Sequence, residues 1–225
     1  MKQPLWKRLV SYFFEIHIES TSSEFNPHLY VSLYKGRYQL STANAIYSFE
    51  DLYDNFSEAF EEIDLDRLAI QNVLILGFGL GSIPILLEQH FNKEYHYTGI
   101  EIDEEVLYLA NKYALQDITS GIELVCADAN NFIKQSSQKY DMIAVDLFQD
   151  DIIPEQFEQA EFLENVKNLL SPNGVLLYNR LAHNDQDIKQ SKSFYKNIFT
   201  KVFDKGTYIE VNDNWMLLNR PDILK

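Results

Sequence analysis

Acidic residues stand at the ends of three aliphatic runs in this sequence, in positions that suit the recognition of a nucleoside. Glu101 closes the run YHYTGIE, Asp128 follows IELVCA, and Asp146 closes YDMIAVD. A carboxylate at Glu101 can accept hydrogen bonds from both hydroxyls of a ribose, and one at Asp128 can accept from the exocyclic amine of an adenine. Asp146 is the candidate for handling a proton or facing a positive charge.

Two of these acids also have a purely structural interpretation. Glu101 can cap a helix that starts two residues later, and Asp128 can be the N-cap of the short helix that follows it. After Asp146 the chain continues as LFQDDIIPEQ, in which Asp150 and Asp151 are typical of a solvated loop. The first two residues keep both interpretations, and Asp146 is the preferred catalytic candidate.

The glycine-rich stretch VLILGFGLGS, residues 73–82, is the second feature that points to a ligand. Gly77, Gly79 and Gly81 follow an aliphatic run and predict a tight loop with positive φ and bare backbone, opening a helix near Ser82. A nicotinamide-binding fingerprint needs its third glycine one place later, where this chain has Ser82. The chain also lacks a GxSxG elbow, a Walker loop and a Cys/His nucleophile pair.

An α/β sheet is the architecture that must position these residues. From residue 68 onward, short aliphatic runs alternate with amphipathic stretches. The predicted strands are 72–76, 95–101, 122–127, 140–146 and 174–179. The predicted helices are at about 82–91, 104–115, 130–136, 155–170 and 186–199. Strands joined by helical crossovers form a parallel sheet with both faces covered, and ligands bind at its carboxyl edge.

The chain ahead of this sheet has a different pattern. Residues 1–65 predict a small β-rich domain with a linking helix, and residues 66–225 the α/β domain. Residues 13–19 and 29–34 alternate as half-buried strands do, and Lys35-Gly36 is the expected two-residue hairpin turn.

The linking helix and the end of the chain complete the predicted topology. Ser48 with Asp51 three residues later resembles a capping box. One face of the following helix is apolar, with Leu52, Phe56, Phe60 and Ile63. The last segment has two β-rich runs around Asp213-Asn214 and predicts a hairpin with an antiparallel strand at the end of the sheet.

Composition excludes several classes of function. The chain has 225 residues, of which 46% are hydrophobic, and a formal charge of −15. A surface this acidic, without a basic stripe, argues against nucleic acid as a partner. The five histidines are scattered with no pair at metal-ligand spacing, so no metal site is expected.

The compartment follows from two further observations. Cys126 is the single cysteine, predicted at a buried strand end, and it indicates a reducing, cytoplasmic location. No charged residue occurs between Arg67 and Glu88, but the glycines and Pro84 in this gap predict strand, loop and helix, not a membrane span. Glu15 interrupts the apolar N-terminal stretch, so we expect neither a signal peptide nor a membrane partner.

The chain resembles the class I S-adenosylmethionine-dependent methyltransferases, and more narrowly their spermidine synthase-like branch. The resemblance rests on four segments in this order and spacing: VLILGFGLGS, YTGIEIDEEVLYLA, CADANNFI and YDMIAVDLFQDD. The resemblance covers about residues 68–220. It implies a Rossmann-like methyltransferase fold, a mostly parallel sheet with an antiparallel last strand, preceded by a small N-terminal β domain. It further implies S-adenosylmethionine, or its decarboxylated form, as the cofactor or co-substrate, without a metal.

The resemblance also implies roles for individual residues. Those expected to contact the cofactor are Gly77, Phe78, Gly79, Gly81, Glu101, Ile102, Asp128 and Ala129. Asp146 is expected to face the reacting sulfonium. The candidates for the substrate side are Tyr53, Gln149, Tyr178 and Asn179, although a core tyrosine or a strand-end turn explains several of them equally well. The small-molecule acceptor is unidentified, and a homodimer is a further expectation.

Three positions depart from the patterns of the family. Aminopropyltransferases carry an acid inside the glycine loop, where this chain has Leu80, and a second acid three residues after the strand-end Asp, where it has Gln149. Many methyltransferases place an acid two residues before the first glycine, where this chain has Ile75. The leading hypothesis is a methyltransferase-like enzyme. The alternatives are an aminopropyltransferase of polyamine biosynthesis and a non-catalytic protein that binds an adenosyl ligand or acts as an interaction module.

Overall fold

Two sheets organise the computed structural model, which describes residues 3–225 apart from the side chain of Asp117. The first is antiparallel, in the order of the chain, and comprises β1 (Ile16–Thr21), β2 (Leu29–Tyr34), β3 (Arg37–Ser41) and β4 (Ile46–Ser48). The second has seven strands in the order β10-β11-β9-β8-β5-β6-β7. Its strands are β5 (Asn72–Leu76), β6 (His96–Glu101), β7 (Ile122–Cys126), β8 (Tyr140–Val145), β9 (Leu170–Leu181), β10 (Thr207–Val211) and β11 (Asn214–Leu218).

Helices follow most strands of the second sheet. The α-helices are α1 (Leu5–Val10), α2 (Asp54–Glu62), α3 (Ser82–Ile85), α4 (Glu104–Leu109), α5 (Ala129–Gln135), α6 (Ala160–Leu169), α7 (Asp185–Phe194) and α8 (Thr200–Val202). Three of them continue as π-helical turns, at Leu86–His90, Ala110–Ala114 and Tyr195–Phe199. Short 3-10 turns lie at Glu50–Leu52, Leu115–Asp117, Glu155–Glu158 and Pro221–Ile223.

The predicted mixed sheet is confirmed, and its register sets the position of the site. Strands β7, β6, β5, β8 and β9 run parallel, with Leu76 level with Ile100 of β6 and Val145 of β8. The residues that come next, Gly77, Glu101 and Asp146, therefore meet at one carboxyl edge. The antiparallel strand is β11, which pairs with β9, while β10 forms the outer edge of the terminal hairpin.

Both faces of the large sheet are covered, as the continuous aliphatic runs predict. One face carries Val73, Ile75, Met142 and Ala144, and the other carries Leu74, Leu76, Ile143 and Val145. The first face shares its buried cluster with the N-terminal sheet, represented by Leu29, Val31, Leu33 and Leu40, and with Phe56 and Phe60 of α2. The N-terminal unit is thus packed onto the sheet through a common core.

Three local predictions are wrong. The first strand begins at Ile16, because Phe13 and Phe14 are 80% and 71% exposed and no neighbouring strand pairs with them. Ser48 does not cap a helix, since its Oγ lies 2.7 Å from that of Ser82 and α2 begins only after Tyr53. Cys126 is exposed because β7 is an edge strand of the sheet.

None of the helices formed by residues 3–225 is long and apolar enough to span a membrane.

Candidate active site

The carboxylate of Asp146 lies at the carboxyl edge of the sheet with one donor on each oxygen. Its backbone N–H donates to Leu76 O at 2.8 Å, which continues the ladder between β5 and β8. Tyr53 Oη donates to Oδ2 at 2.8 Å and Asn179 Nδ2 donates to Oδ1 at 2.9 Å. Two of the predicted substrate-side residues therefore contact the predicted catalytic acid directly.

These two donors come from parts of the chain that are remote in sequence. Tyr53 immediately precedes α2 of the N-terminal unit, and Asn179 lies on β9 beside β8. Asn214, at the start of β11, donates from Nδ2 to Asn179 Oδ1 at 2.8 Å. This bond fixes the orientation of the Asn179 amide, so that its N–H₂ group faces Asp146. The sequence interpretation missed Asn214, whose position depends on the pairing of β11 with β9.

Burial raises the pKa of Asp146 to about 6, while the hydrogen bonds from Asn179 and Tyr53 favour its charged form. Burial and the neighbouring Asp146 carboxylate raise the pKa of Tyr53 well above its ordinary value, so this phenol stays protonated and acts as a donor. Near neutral pH, Asp146 is therefore an oriented anion. Its pKa suits a general base or a partner for a cationic group.

The glycine loop has the backbone that its sequence predicts. Gly77, Gly79 and Gly81 have φ values of 86°, 56° and 88°, in the left-handed region that favours glycine. A Cβ on Gly77 would lie 2.1 Å from the carbonyl oxygen of Asp146, and one on Gly81 would lie 2.8 Å from Leu115 Cδ2. Close packing against neighbouring protein atoms thus accounts for glycine at both positions. The residue that packs against Gly77 is the candidate acid, Asp146.

Glu101 ties the glycine loop to the end of β6. Its Oε2 accepts from Gly79 N at 3.1 Å, and its Oε1 accepts from the N–H groups of Ile102 and Asp103 at 3.0 and 3.2 Å. A carboxylate has about four lone-pair sites, so one acceptor site is left for a ligand hydroxyl. Burial raises the pKa of Glu101, and the backbone donors oppose this shift. Asp103, and not Glu101, is the N-cap of α4.

Asp128 and Ala129 lie at the start of α5, beyond the end of β7. Asp128 Oδ1 accepts from Asn131 N at 2.8 Å, so the N-cap interpretation of this residue is confirmed. Its Oδ2 accepts from Gln156 Nε2 at 3.1 Å. Ala129 is 4% exposed. The contact of these residues with an adenine stays a prediction.

The structure shows where the two side chains between the glycines lie, and it corrects the expected contact of the Phe78 side chain with the cofactor. Phe78 is 4% exposed, and its ring covers Gly99 so closely that a Cβ there would lie 2.3 Å from Phe78 Cδ2. Leu80 is completely buried in the core shared with the N-terminal unit. Because alternate residues of this loop point inward, these side chains support the loop from below and offer no surface to a ligand.

The remaining candidates divide between core and surface. Tyr178 is 1% exposed and its Oη donates to Phe157 O at 3.0 Å, so this residue belongs to the opposite face of the sheet from Asn179. Gln149 is exposed in the turn that pairs it with Ile152. Ile102 is 39% exposed beside Glu101, where an apolar surface is open to a ligand. The structure thus removes Tyr178 from the substrate side.

The loop after β8 is attached to the N-terminal unit through Asp150, which the sequence interpretation assigned to solvent. Asp150 accepts hydrogen bonds from Thr42 Oγ1 and Asn44 Nδ2, and from Asn44 N at 3.2 Å. Its own N–H donates to Tyr47 Oη at 2.5 Å. The carboxylate therefore holds the loop across the edge where Asp146 lies. The β3–β4 turn that supplies its partners gave no signal in the sequence.

Replacing Asp150 with alanine is expected to release this loop. The change removes three acceptor bonds and leaves a non-glycine residue at φ 56°, so the free energy of unfolding should fall by about 1–2 kcal/mol. Hydrogen exchange of residues 147–153 should speed up at the same time. Asp151→Ala removes the same charge from an exposed neighbour and is the matched control. Equal exchange in the two variants would show that the Asp150 contacts do not hold the loop.

Across the described residues, no group of three or more His, Cys, Asp or Glu side chains is placed to hold a metal ion.

Comparison with known proteins gives matches to two kinds of transferase. A family profile described as "Methyltransferase domain" matches residues 70–216. A probable polyamine aminopropyl transferase of Bifidobacterium longum is 37% identical over 108 residues, which are 48% of this chain and 24% of that protein. The human eEF1A lysine and N-terminal methyltransferase is 27% identical over 154 residues, 63% of this chain and 22% of that protein.

Similarity in fold covers more of the chain than similarity in sequence. The crystal structure of spermidine synthase from Thermotoga maritima matches with a TM-score of 0.69 at 20% identity, covering 90% of this chain and 72% of that chain. The chain spans about a quarter of the length of the two curated relatives. The chain belongs to the methyltransferase-domain family, and its similarity to a polyamine aminopropyl transferase and to spermidine synthase supports the spermidine synthase-like branch of the class I S-adenosylmethionine-dependent superfamily.

Proposed function

We propose that the protein is an S-adenosylmethionine-dependent transferase of the methyltransferase type that acts on a small-molecule acceptor. The observation that carries this proposal is the Asp146 carboxylate, which Tyr53 and Asn179 orient at the carboxyl edge of the sheet. An oriented anion with a pKa of about 6 suits both a sulfonium cation and the removal of a proton from an acceptor. Family membership supports the adenosyl ligand.

The residues at this edge fit an adenosyl group. Glu101 keeps one acceptor site for a ribose hydroxyl after its three backbone bonds, and Ile102 offers an exposed apolar side chain next to it. Asp128 remains the candidate for the exocyclic amine of the adenine. When bound, S-adenosylmethionine supplies an electrophilic carbon on a positively charged sulfur, so positioning of the acceptor accounts for much of the catalysis.

Asp146 has two roles in this proposal. Its charge stabilises a cationic group at the edge of β8, and its basicity allows it to take a proton from an amine or hydroxyl acceptor. Tyr53 and Asn179 each occupy one lone pair of the carboxylate and leave the others for these roles. The fixed Asn179 amide keeps the carboxylate from rotating away.

The second candidate function is aminopropyl transfer. It is favoured by the sequence match to a polyamine aminopropyl transferase and by the contact of Tyr53, from the linking segment before α2, with Asp146. Against it, Leu80 is fully buried, so the position where aminopropyltransferases carry an acid cannot hold an ammonium group here. A non-catalytic protein that binds an adenosyl ligand, or none, is the third candidate.

Calorimetric titration with four ligands separates these functions. The ligands are S-adenosylmethionine, its decarboxylated form, S-adenosylhomocysteine and methylthioadenosine. A methyltransferase should bind S-adenosylmethionine and S-adenosylhomocysteine more tightly than the decarboxylated compound, and the reverse order would establish the second candidate. If none of the four ligands gives heat, both enzyme functions are excluded.

The affinity for a sulfonium ligand is expected to depend on the ionisation of Asp146. Above its pKa of about 6 the carboxylate is charged, and below this pH protonation removes the charge. The affinity for S-adenosylmethionine should therefore fall about tenfold between pH 7.5 and pH 5, whereas that for the neutral methylthioadenosine should not. Asp146→Asn, which has no charge to lose, should abolish the difference. A parallel pH dependence of both ligands would mean that Asp146 does not face the sulfur.

The proposed location is the cytoplasm. The single cysteine supports it, because a chain with one cysteine forms no internal disulfide, as is usual for proteins of a reducing compartment. The acidic composition supports a small molecule, and not a nucleic acid or a membrane, as the partner of the site.

A further inference from the structure

A groove of about 740 Å³ lies between the loop that follows β8 and helix α7. Residues between 151 and 159 form one wall, α7 and the turn that continues it form the other, and Arg180 lines it from β9. We call it the Arg180 groove. Successive residues of a strand point to opposite faces of a sheet, so Arg180 lies on the other face from Asn179, the partner of Asp146. The groove is therefore separate from the candidate active site, and its volume is in the range of ligand pockets.

The guanidinium of Arg180 is held in place by its neighbours. Its side chain is 3% exposed, Nη2 donates to Glu158 Oε1 at 2.6 Å, and Nε donates to Ser191 Oγ at 3.2 Å. The guanidinium carbon lies 4.1 Å from the centre of the Phe194 ring, in a cation–π contact. The guanidinium is thus a fixed donor beside the groove and not a mobile surface charge.

One nitrogen of this guanidinium, Nη1, has no hydrogen bond. Tyr178 is its neighbour in the core, where burial raises the pKa of the phenol and the guanidinium opposes the shift. Neither this phenol nor any other atom of the described chain meets Nη1 in hydrogen-bond geometry. A buried N–H group without an acceptor is unfavourable. A ligand oxygen that reaches Nη1 past the partly exposed Glu158 side chain would satisfy it.

The other charges around the groove are negative. Asp151, Glu155 and Asp187 line it, and the charge of Arg180 is balanced by its ion pair with Glu158. The lining residues include no further cation, so they carry an excess of negative charge. These acids would repel a carboxylate or phosphate ligand, whereas they attract an ammonium group. The groove therefore suits an uncharged oxygen, such as a carbonyl, accompanied by positive charge.

Exposed amide side chains line both walls of the groove. They are Gln159, Gln186, Gln190 and Asn197. A primary amide both donates and accepts hydrogen bonds, so it can pair with the N–H and C=O groups of a peptide. Ile152, which is 65% exposed, and Ile198 add apolar surface for the stems of long side chains. An extended peptide with lysine side chains offers a carbonyl, further peptide groups and ammonium groups together.

We propose that the Arg180 groove binds a short basic peptide. One peptide carbonyl accepts from Arg180 Nη1, and the lysine side chains of the peptide extend toward Asp151, Glu155 and Asp187. This is a second binding site, distinct from that of the adenosyl ligand. The proposal rests on the residues of the groove alone and is independent of the proposed catalytic function.

Calorimetric titration of the full chain with N-acetyl-lysyl-lysine amide tests the proposal. This lysine peptide should bind with the same affinity in the presence and absence of S-adenosylhomocysteine, because the groove and the adenosyl site are separate. The corresponding glutamate peptide, which has the same backbone and the opposite charge, should give no heat. A lysine peptide that gives no heat, or equal binding of the two peptides, overturns the proposal.

Replacing Arg180 and Glu158 together tests the role of the donor. Arg180→Met with Glu158→Gln removes Nη1 and keeps the net charge of the groove, so the binding of the lysine peptide should weaken by about tenfold or more. Unchanged affinity in this folded double variant overturns the proposal. If the double variant does not fold, the exposed acids of the groove decide the question.

The acids are tested by Asp151→Asn combined with Glu155→Gln. Both side chains are exposed, so the variant should fold, and the binding of the lysine peptide should weaken by about fivefold. Asp204→Asn with Glu210→Gln removes the same charge from exposed positions outside the groove and should bind as the wild type does. An equal loss in the two variants would mean that only the overall charge attracts the peptide, and would overturn the proposal.

The position of the bound peptide can be read from backbone amide NMR spectra. Addition of the lysine peptide should shift the signals of residues 151–159 and 180–198, which surround the groove. Shifts centred on Gly79 and Glu101 would place the peptide at the adenosyl site and overturn the proposal.

Discussion

Gly77→Ala is expected to lower the free energy of unfolding by about 3 kcal/mol or more, the largest effect of any single methyl group in the glycine loop. The new Cβ would lie 2.1 Å from the carbonyl oxygen of Asp146, and the backbone at φ 86° favours glycine. The left-handed conformation costs alanine about 1–2 kcal/mol, and overpacking against backbone adds about 1–3 kcal/mol. Urea unfolding monitored by circular dichroism measures the loss.

The same change should disturb the site, because the strand end that must yield is the one that carries the candidate acid. We therefore expect weaker binding of S-adenosylmethionine even at temperatures where the variant is folded. Gly121→Ala is the control, since its Cβ would lie 3.2 Å from the exposed His96 ring, which can move. The variant should lose less than about 0.5 kcal/mol. Equal losses in the two variants would contradict the tight packing of Gly77 on Asp146.

Glu101→Ala is expected to weaken the binding of every adenosyl ligand by about 10- to 100-fold. One hydrogen bond from a ribose hydroxyl to a buried carboxylate contributes about 1.5–3 kcal/mol, and the three backbone donors that Glu101 accepts leave a single site for it. Part of the loss comes from Gly79, whose N–H would have no acceptor. Calorimetry with S-adenosylhomocysteine and methylthioadenosine measures the effect, which should be similar for both because they share the ribose.

Two variants make this experiment specific. Glu123→Ala removes an exposed acid from the neighbouring strand β7 and should leave the affinity unchanged. Glu101→Gln keeps an acceptor oxygen but loses the charge, and should fall between the wild type and the alanine variant. Affinity in Glu101→Ala equal to that of the wild type would remove Glu101 from the ligand site and limit its role to the glycine loop.

The parts of the fold that repeat a local pattern could be predicted from the sequence. Aliphatic runs of five or six residues, separated by amphipathic stretches, are sufficient to indicate parallel strands. Polar residues that end such runs must then meet at one edge, and this pattern predicts Glu101 and Asp146 as site residues. The positive φ values of Gly77, Gly79 and Gly81 also follow from local chemistry, since these values favour glycine.

The face on which a side chain lies in an irregular loop could not be predicted. Phe78 and Leu80 alternate with glycines, and the sequence is compatible with either orientation of the loop. Packing determines the orientation of the loop, because the Phe78 ring fills the space above Gly99 and the Leu80 side chain fills part of the shared core. Tyr178 and Asn179 are adjacent in sequence, yet the pleat of β9 directs one to the core and the other to Asp146.

By itself, therefore, the sequence determined the sheet, its carboxyl edge, and the acids at that edge, because these depend on spacing along one segment at a time. Only the tertiary structure decided which distant groups complete the site. Tyr53 reaches Asp146 from the segment before α2, and Asn214 orients Asn179 from β11. Asp150 holds the loop after β8 to the turn between β3 and β4. Such contacts depend on packing between elements far apart in the chain, which no local pattern records.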